Sequence, residues 1–149
     1  MSNKIADLQP DTQIKAELAI EKMRSDVELK KMGVTGIYVS ETLRTLATQM
    51  AYYSRSRMSV SDVKKMYAAA GLYKISDEEA AKANTWTLSS KHIEGKAIDL
   101  VPEINGVILW TAPDSVWQRM GEIGKTCGLT WGGDWSGTPD KPHFQEDKI

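Results

Sequence analysis

The chain holds only two histidines, and each lies in a patterned stretch. The first is Ser90-Lys91-His92-Ile93-Glu94-Gly95-Lys96-Ala97-Ile98-Asp99 and the second Asp140-Lys141-Pro142-His143-Phe144-Gln145. Two imidazoles and one carboxylate make a three-ligand set with a fourth position open. Catalytic zinc sites are built this way, because the open position admits the water that becomes the nucleophile. The second stretch also carries a spare carboxylate, Asp140, three residues before its histidine. A general base must sit beside that water, and Asp140 is placed for the role.

The elements that would carry these residues follow from patterning. Ile14, Leu18, Met23, Val27 and Met32 recur at near-helical spacing, which predicts a helix over about Asp11 to Met32 with Gly33 as its stop. Gly36 to Ser40 reads as a strand. Thr45 to Arg55 and Ser61 to Ala70 read as helices, the second capped by Gly71. Ser76 to Glu79 has a capping-box pattern and opens a short helix toward Asn84. Ala97 to Val101 and Val107 to Trp110 flank Asn105-Gly106, a tight-hairpin pair. Alternation sets Ala97, Asp99 and Val101 on one face. Pro113 to Cys127 suits a helix with Val116, Trp117, Met120 and Ile123 as its buried stripe. Leu129 to Trp131 and His143 to Gln145 read as final strands, joined by a loop over Gly132 to Pro142. Gly95 lets the backbone pass close to a metal-holding loop, and Pro142 stiffens the approach to His143. The order of elements is α+β, a small antiparallel sheet covered by helices, in one domain spanning 1–149.

Composition narrows the classes. With 41% hydrophobic and 26% charged residues, and a net charge of −1, the chain reads as an ordinary globular protein. It has no basic run for nucleic acid, no stretch of ~20 apolar residues for a membrane, and no signal-peptide core at Met1 to Asp7. A monomer made in a cytoplasm is expected. The single cysteine, Cys127, excludes an internal disulfide and reads as a buried small hydrophobe.

The pattern S-x-H-x-x-G-x-A-x-D over Ser90 to Asp99, with Trp131-Gly132-Gly133-Asp134-Trp135 and Asp140 to Phe144 downstream, resembles the VanY-type zinc peptidases of peptidoglycan. That family comprises D-Ala-D-Ala carboxypeptidases and L-alanyl-D-glutamate endopeptidases. The run from Ser90 to Gly106 is especially similar to endolysins of tailed phages. Upstream, Val39 to Thr45 with Gln49 resembles the family's S-x-x-R-[ST]-x-x-x-Q segment, although Glu41 and Thr42 stand where a glycine is usual and add one residue before Arg44. The resemblance implies a Hedgehog/DD-peptidase-like fold. It implies zinc held by His92, Asp99 and His143, Asp140 as the catalytic carboxylate, and Arg44 holding the substrate or its developing oxyanion. It further implies a peptidoglycan stem peptide as partner, cut at L-Ala–D-Glu. Made in a host cytoplasm, the enzyme would act on the wall after release.

Other readings stand beside these. Within the family, the activity could be that of a D-Ala-D-Ala carboxypeptidase. A zinc-stabilised binding module would need no spare base such as Asp140. A non-haem iron oxygenase also uses two histidines and a carboxylate, but on an H-x-D spacing within an all-β scaffold. Arg44 could be a surface salt-bridge former. Trp131 and Trp135 read as wall or core residues rather than stacking platforms, and Ser90 as a loop brace rather than a nucleophile. The segment from about Met58 to Asn84 is longer than in many relatives and could shape the groove or merely decorate it.

Overall fold

A computed structural model describes residues 2–85 and 87–147. The expected first helix is two: α1 (Pro10–Ser25) and α2 (Val27–Lys31). Asp26 breaks it by capping the second, accepting from Leu29 N–H at 3.0 Å. The buried face of α1 is also not the expected one. Ile14, Leu18 and, on α2, Val27 are exposed, and Thr12, Ala16, Ala19, Ile20 and Met23 face inward. Small residues there let α1 lie close to the sheet and to α6 (Asp114–Thr126).

The other helices are α3 (Leu46–Ser54), α4 (Val60–Ala69) and α5 (Asp77–Ala80), capped by Thr45, Ser59 and Ser76. The box at Ser76 is half formed. Ser76 Oγ accepts from Glu79 N–H, but the Glu79 carboxylate is taken by the Tyr73 hydroxyl, and the helix ends well before Asn84. Together α3, α4 and α5 enclose a small cluster of Ala51, Val63, Tyr67, Ile75 and Ala80.

The sheet comprises β1 (Val34–Glu41), β2 (Ala97–Ile104), β3 (Val107–Ile108), β4 (Thr130–Trp131) and β5 (His143–Gln145). Its order is β1-β2-β5-β4, with β3 on β2, and every pairing is antiparallel. The Asn105-Gly106 turn has both φ values positive, at 52° and 78°, as a type I′ turn requires. The second arm is shorter than expected. β3 pairs only with Glu103 and Ile104, because β5 occupies the same edge of β2 from Ala97 to Asp99.

The main core lies between this sheet and the pair α1 and α6. The expected stripe of Val116, Trp117, Met120 and Ile123 is buried, as is Cys127. Gly121 and Gly124 bring α6 against two rings: a Cβ there would stand 2.3 Å from Trp131 and 2.4 Å from Phe144. Among the described residues, no helix is long and apolar enough to cross a membrane.

Candidate metal centre and its groove

Three adjacent strands build one row of side chains. Asp99 on β2 pairs with Glu41 of β1 on one side and with His143 of β5 on the other. Residues directly opposite in antiparallel strands project from the same face. The register slips between Val39 and Glu41, so Ser40 is bulged out and Glu41, not Ser40, stands opposite Asp99. Such a bulge re-aims a side chain beside a site.

His92 enters from the turn before β2. Its backbone N–H is held by Ser90 Oγ, which makes Ser90 a brace, and its carbonyl accepts from Arg44 and Gly95 N–H. Gly95 adopts φ +70°, and its close approach is to Asp7 and Gln9 near the N-terminus rather than to a metal-holding loop.

One ligating atom each from His92, Asp99 and His143 lies within 4.8 Å of the others. The imidazole tautomers follow from the outer partners. His92 Nδ1 is 2.7 Å from the Thr42 carbonyl, which can only accept, so Nδ1 carries the proton. His143 Nε2 is 2.8 Å from Gln145 Oε1, and that amide is oriented by its own Nε2, which donates to Asp147 at 2.7 Å. His143 therefore donates through Nε2. This leaves His92 Nε2 and His143 Nδ1 as lone pairs, each 3.2 Å from Asp99 Oδ1. Acceptors converging in this way need a cation among them. Their 3.2 Å separations are close to the ~3.3 Å edge of a tetrahedron with bonds of about 2.0 Å, as zinc makes to nitrogen and oxygen. The donor set therefore fits a zinc ion.

With protons rather than a metal ion between these atoms, the same cluster is held together by charge. Burial opposes a charge on Asp99, but hydrogen bonds with His143 and His92, and their charge, outweigh it and hold the carboxyl well below the usual range. Burial would likewise lower His143, but Asp99 beside it raises it instead.

Asp140 sits at the end of the Gly132 to Pro142 loop. Its N–H donates to the Gly132 carbonyl at 2.8 Å, and its own carbonyl accepts from His143 N–H at 3.2 Å. A Cβ on Gly132 would lie 2.5 Å from that carbonyl, so only glycine allows the approach. Two ion pairs fasten the loop to α6, Lys125 to Asp134 at 2.9 Å and Lys141 to Asp114 at 2.5 Å. The Asp140 carboxylate accepts no hydrogen bond among the described residues. Crowding by protein atoms, and then the charge of Asp99, raise it above the ordinary carboxyl value, although the residue as a whole remains exposed.

Arg44 is not a surface salt-bridge former. Its Nε and Nη2 donate to Glu41, its Nη1 donates to Gln49 Oε1 at 2.6 Å, and its guanidinium lies over Tyr52, 4.9 Å from the ring centre. Both members of the ion pair are largely shielded. Glu41 Oε1 is also 4.0 Å from His92 Nε2. Tyr52 is pushed up to about 12, by burial and then by Glu41.

His92, Asp99, His143, Asp140 and Arg44 all line one groove of about 1110 Å³. Tyr73 and Asn84 line it as well, so the 58–84 segment forms part of its wall. The two tryptophans divide. Trp131 is core, its Nε1 donating to the Lys141 carbonyl, and Trp135 is groove wall with its ring 5.1 Å from that of His143. Sequence reasoning missed Glu41, Thr42 and Gln145 as partners of the site. Gln145 was within reach, since it shares a strand face with His143.

Residues 83–146 match the peptidase M15 family described as D-alanyl-D-alanine carboxypeptidase. The chain resembles the VanY-type peptidases in the sequence of its site and in its fold. Three curated relatives are similar. They are the L-alanyl-D-glutamate peptidase of Listeria phage A118 (36% identical over 46% of this chain and 26% of that one), its namesake in Escherichia phage T5 (41%, over 34% and 41%), and the peptidoglycan L-alanyl-D-glutamate endopeptidase CwlK of Bacillus subtilis (38%, over 38% and 38%). The chain thus spans between about a quarter and two fifths of their lengths. Two solved structures share the fold. Serratia marcescens L-Ala D-Glu endopeptidase ChiX superposes with a TM-score of 0.59 at 22% identity, over 95% of this chain and 82% of that one. A vancomycin-resistance D,D-pentapeptidase VanY, solved with Zn(II), gives 0.52 at 16%, over 95% and 74%.

Proposed function

We propose that this chain is a single-domain zinc peptidase that hydrolyses the L-Ala–D-Glu bond of peptidoglycan stem peptides and serves a phage as its endolysin. The observation that carries the chemistry is the convergence of three lone-pair atoms, from His92, Asp99 and His143, on one point of an open groove. The choice of bond is supported by three relatives described as L-alanyl-D-glutamate peptidases. The phage setting is supported by two of them. In this reading the protein works as a monomer, made in the host cytoplasm and meeting the wall after release.

Zinc held by His92, Asp99 and His143 would supply Lewis acidity, activating water and polarising the scissile carbonyl. Thr42 and Gln145 fix the two imidazoles with their lone pairs inward. Asp140 takes the proton of the attacking water and delivers it to the leaving amine. Its carboxylate accepts no hydrogen bond among the described residues and lines the same groove, so its oxygens are open for both transfers. Of the five Arg44 N–H donors, two are committed to Glu41 and one to Gln49, leaving two for a substrate carboxylate or the developing oxyanion.

The test is release of soluble fragments from purified sacculi. Release should stop on chelation and return with added zinc. Fragment release that persists in chelator would remove metal-assisted hydrolysis.

A further inference from the structure

The four tryptophans among the described residues divide by environment. Trp117 and Trp131 are buried, and each donates its Nε1–H to a backbone carbonyl, of Ala112 and of Lys141. Trp110 and Trp135 are 57% and 36% exposed, and neither indole N–H has a partner among the described residues. Both line the groove that holds His92, Asp99 and His143. Buried tryptophans usually find a partner, and an indole left with an open face and a free N–H fits a ligand that is apolar on one side and polar at its edge.

Topology puts both rings on one stretch of the groove. β3 and β5 share one edge of β2, end to end, and Trp110 lies two residues beyond β3, where the chain leaves that edge. Trp135 stands over His143, the first residue of β5. The groove also has more room than a dipeptide needs. At about 1110 Å³ it exceeds the ~300–1,000 Å³ usual for a drug-sized ligand.

We propose that Trp110 and Trp135 form a saccharide subsite that seats the N-acetylmuramic acid ring carrying the stem peptide. The inference rests on the proposed cleavage at L-Ala–D-Glu. In that substrate the scissile carbonyl belongs to L-Ala, whose nitrogen is acylated by the lactyl ether on the sugar. About two residue lengths, roughly 7 Å, separate carbonyl from pyranose. A bond held at the metal centre therefore brings the sugar onto the rings next to His143. The C–H face of a pyranose meets an indole face, and its hydroxyl and acetamido oxygens can accept the free indole N–H groups. The reading of Trp135 as groove wall alone is thereby extended to a binding role.

The test compares two substrates that differ only in the sugar: a stem peptide N-acylated by lactate, and the same peptide on N-acetylmuramic acid. The muramyl peptide should have the higher kcat/KM, through KM, by about two- to tenfold per ring, the size of one aromatic contact. Trp110→Ala and Trp135→Ala should each move the ratio toward one, and Trp110→Tyr should keep most of it. Equal kcat/KM for the two substrates, or a ratio unmoved by both alanine variants, overturns the subsite. If neither substrate is cut at L-Ala–D-Glu, the underlying function fails instead. Calorimetric titration of the zinc-loaded Asp140→Asn protein then still decides, because equal affinity for both peptides overturns the subsite independently.

Discussion

Gln145 and His143 lie two residues apart on one face of β5, and the Gln145 amide oxygen accepts the His143 Nε2 proton at 2.8 Å. This bond turns the Nδ1 lone pair toward Asp99. Gln145→Ala should therefore weaken zinc binding about 10- to 100-fold, the usual worth of such an outer partner, whereas His143→Ala should abolish it. Competition with a chromogenic chelator measures both. An unchanged zinc affinity in Gln145→Ala would mean that the ring is oriented by something else.

Asp140→Asn should keep zinc and fold but lose roughly 10²-fold or more in turnover, since an amide cannot take the proton. Hydrolysis of a labelled stem peptide by metal-loaded protein checks this. Near-normal turnover would place the base elsewhere.

Most of the helices, and the residues that gather as the His92, Asp99 and His143 cluster, are legible in the sequence because each depends on local signals. Caps, glycine stops and the Asn105-Gly106 turn mark their ends, and the two histidines sit inside dense motifs. What it concealed depends on register. Glu41 reaches the site only because Ser40 is bulged from β1, and a bulge leaves no mark in Val39 to Thr42. The face of α1 differs from the expected one because two of its large apolar residues, Ile14 and Leu18, are exposed, while Ala16 and Ala19 pack inward beside Ile20 and Met23. Asp26 looked like one more polar residue in a helix, and its capping bond and its pairing with Arg119 appear only in three dimensions.

The Glu41–Arg44 pair is shielded, so removing one member leaves a buried charge. Arg44→Ala should destabilise the fold by about 3–5 kcal/mol, and Glu41→Gln in the same chain should recover part of the loss. Denaturant unfolding of the four proteins of the cycle measures it. A loss below ~1 kcal/mol for Arg44→Ala would mean that solvent already screens Glu41.

Asp26 is held below the ordinary carboxyl value, chiefly by its two hydrogen bonds from Arg119, against burial and with help from Leu29 N–H. A depressed carboxyl contributes stability above its unfolded value of ~3.9 and loses it as pH falls through the folded value. The melting temperature of the parent should thus drop below about pH 4, more steeply than that of Asp26→Asn, which retains the helix cap. Melting curves in chelator across this range test it. Parallel declines would remove Asp26 as the acid-sensitive group.

Mass spectrometry of purified sacculi after digestion addresses the central claim most directly. The expected products are stem peptides that begin with D-Glu, with L-Ala left on muramic acid. Loss of terminal D-Ala alone, with every L-Ala–D-Glu bond intact, would contradict the endopeptidase reading and make the chain a D-Ala-D-Ala carboxypeptidase.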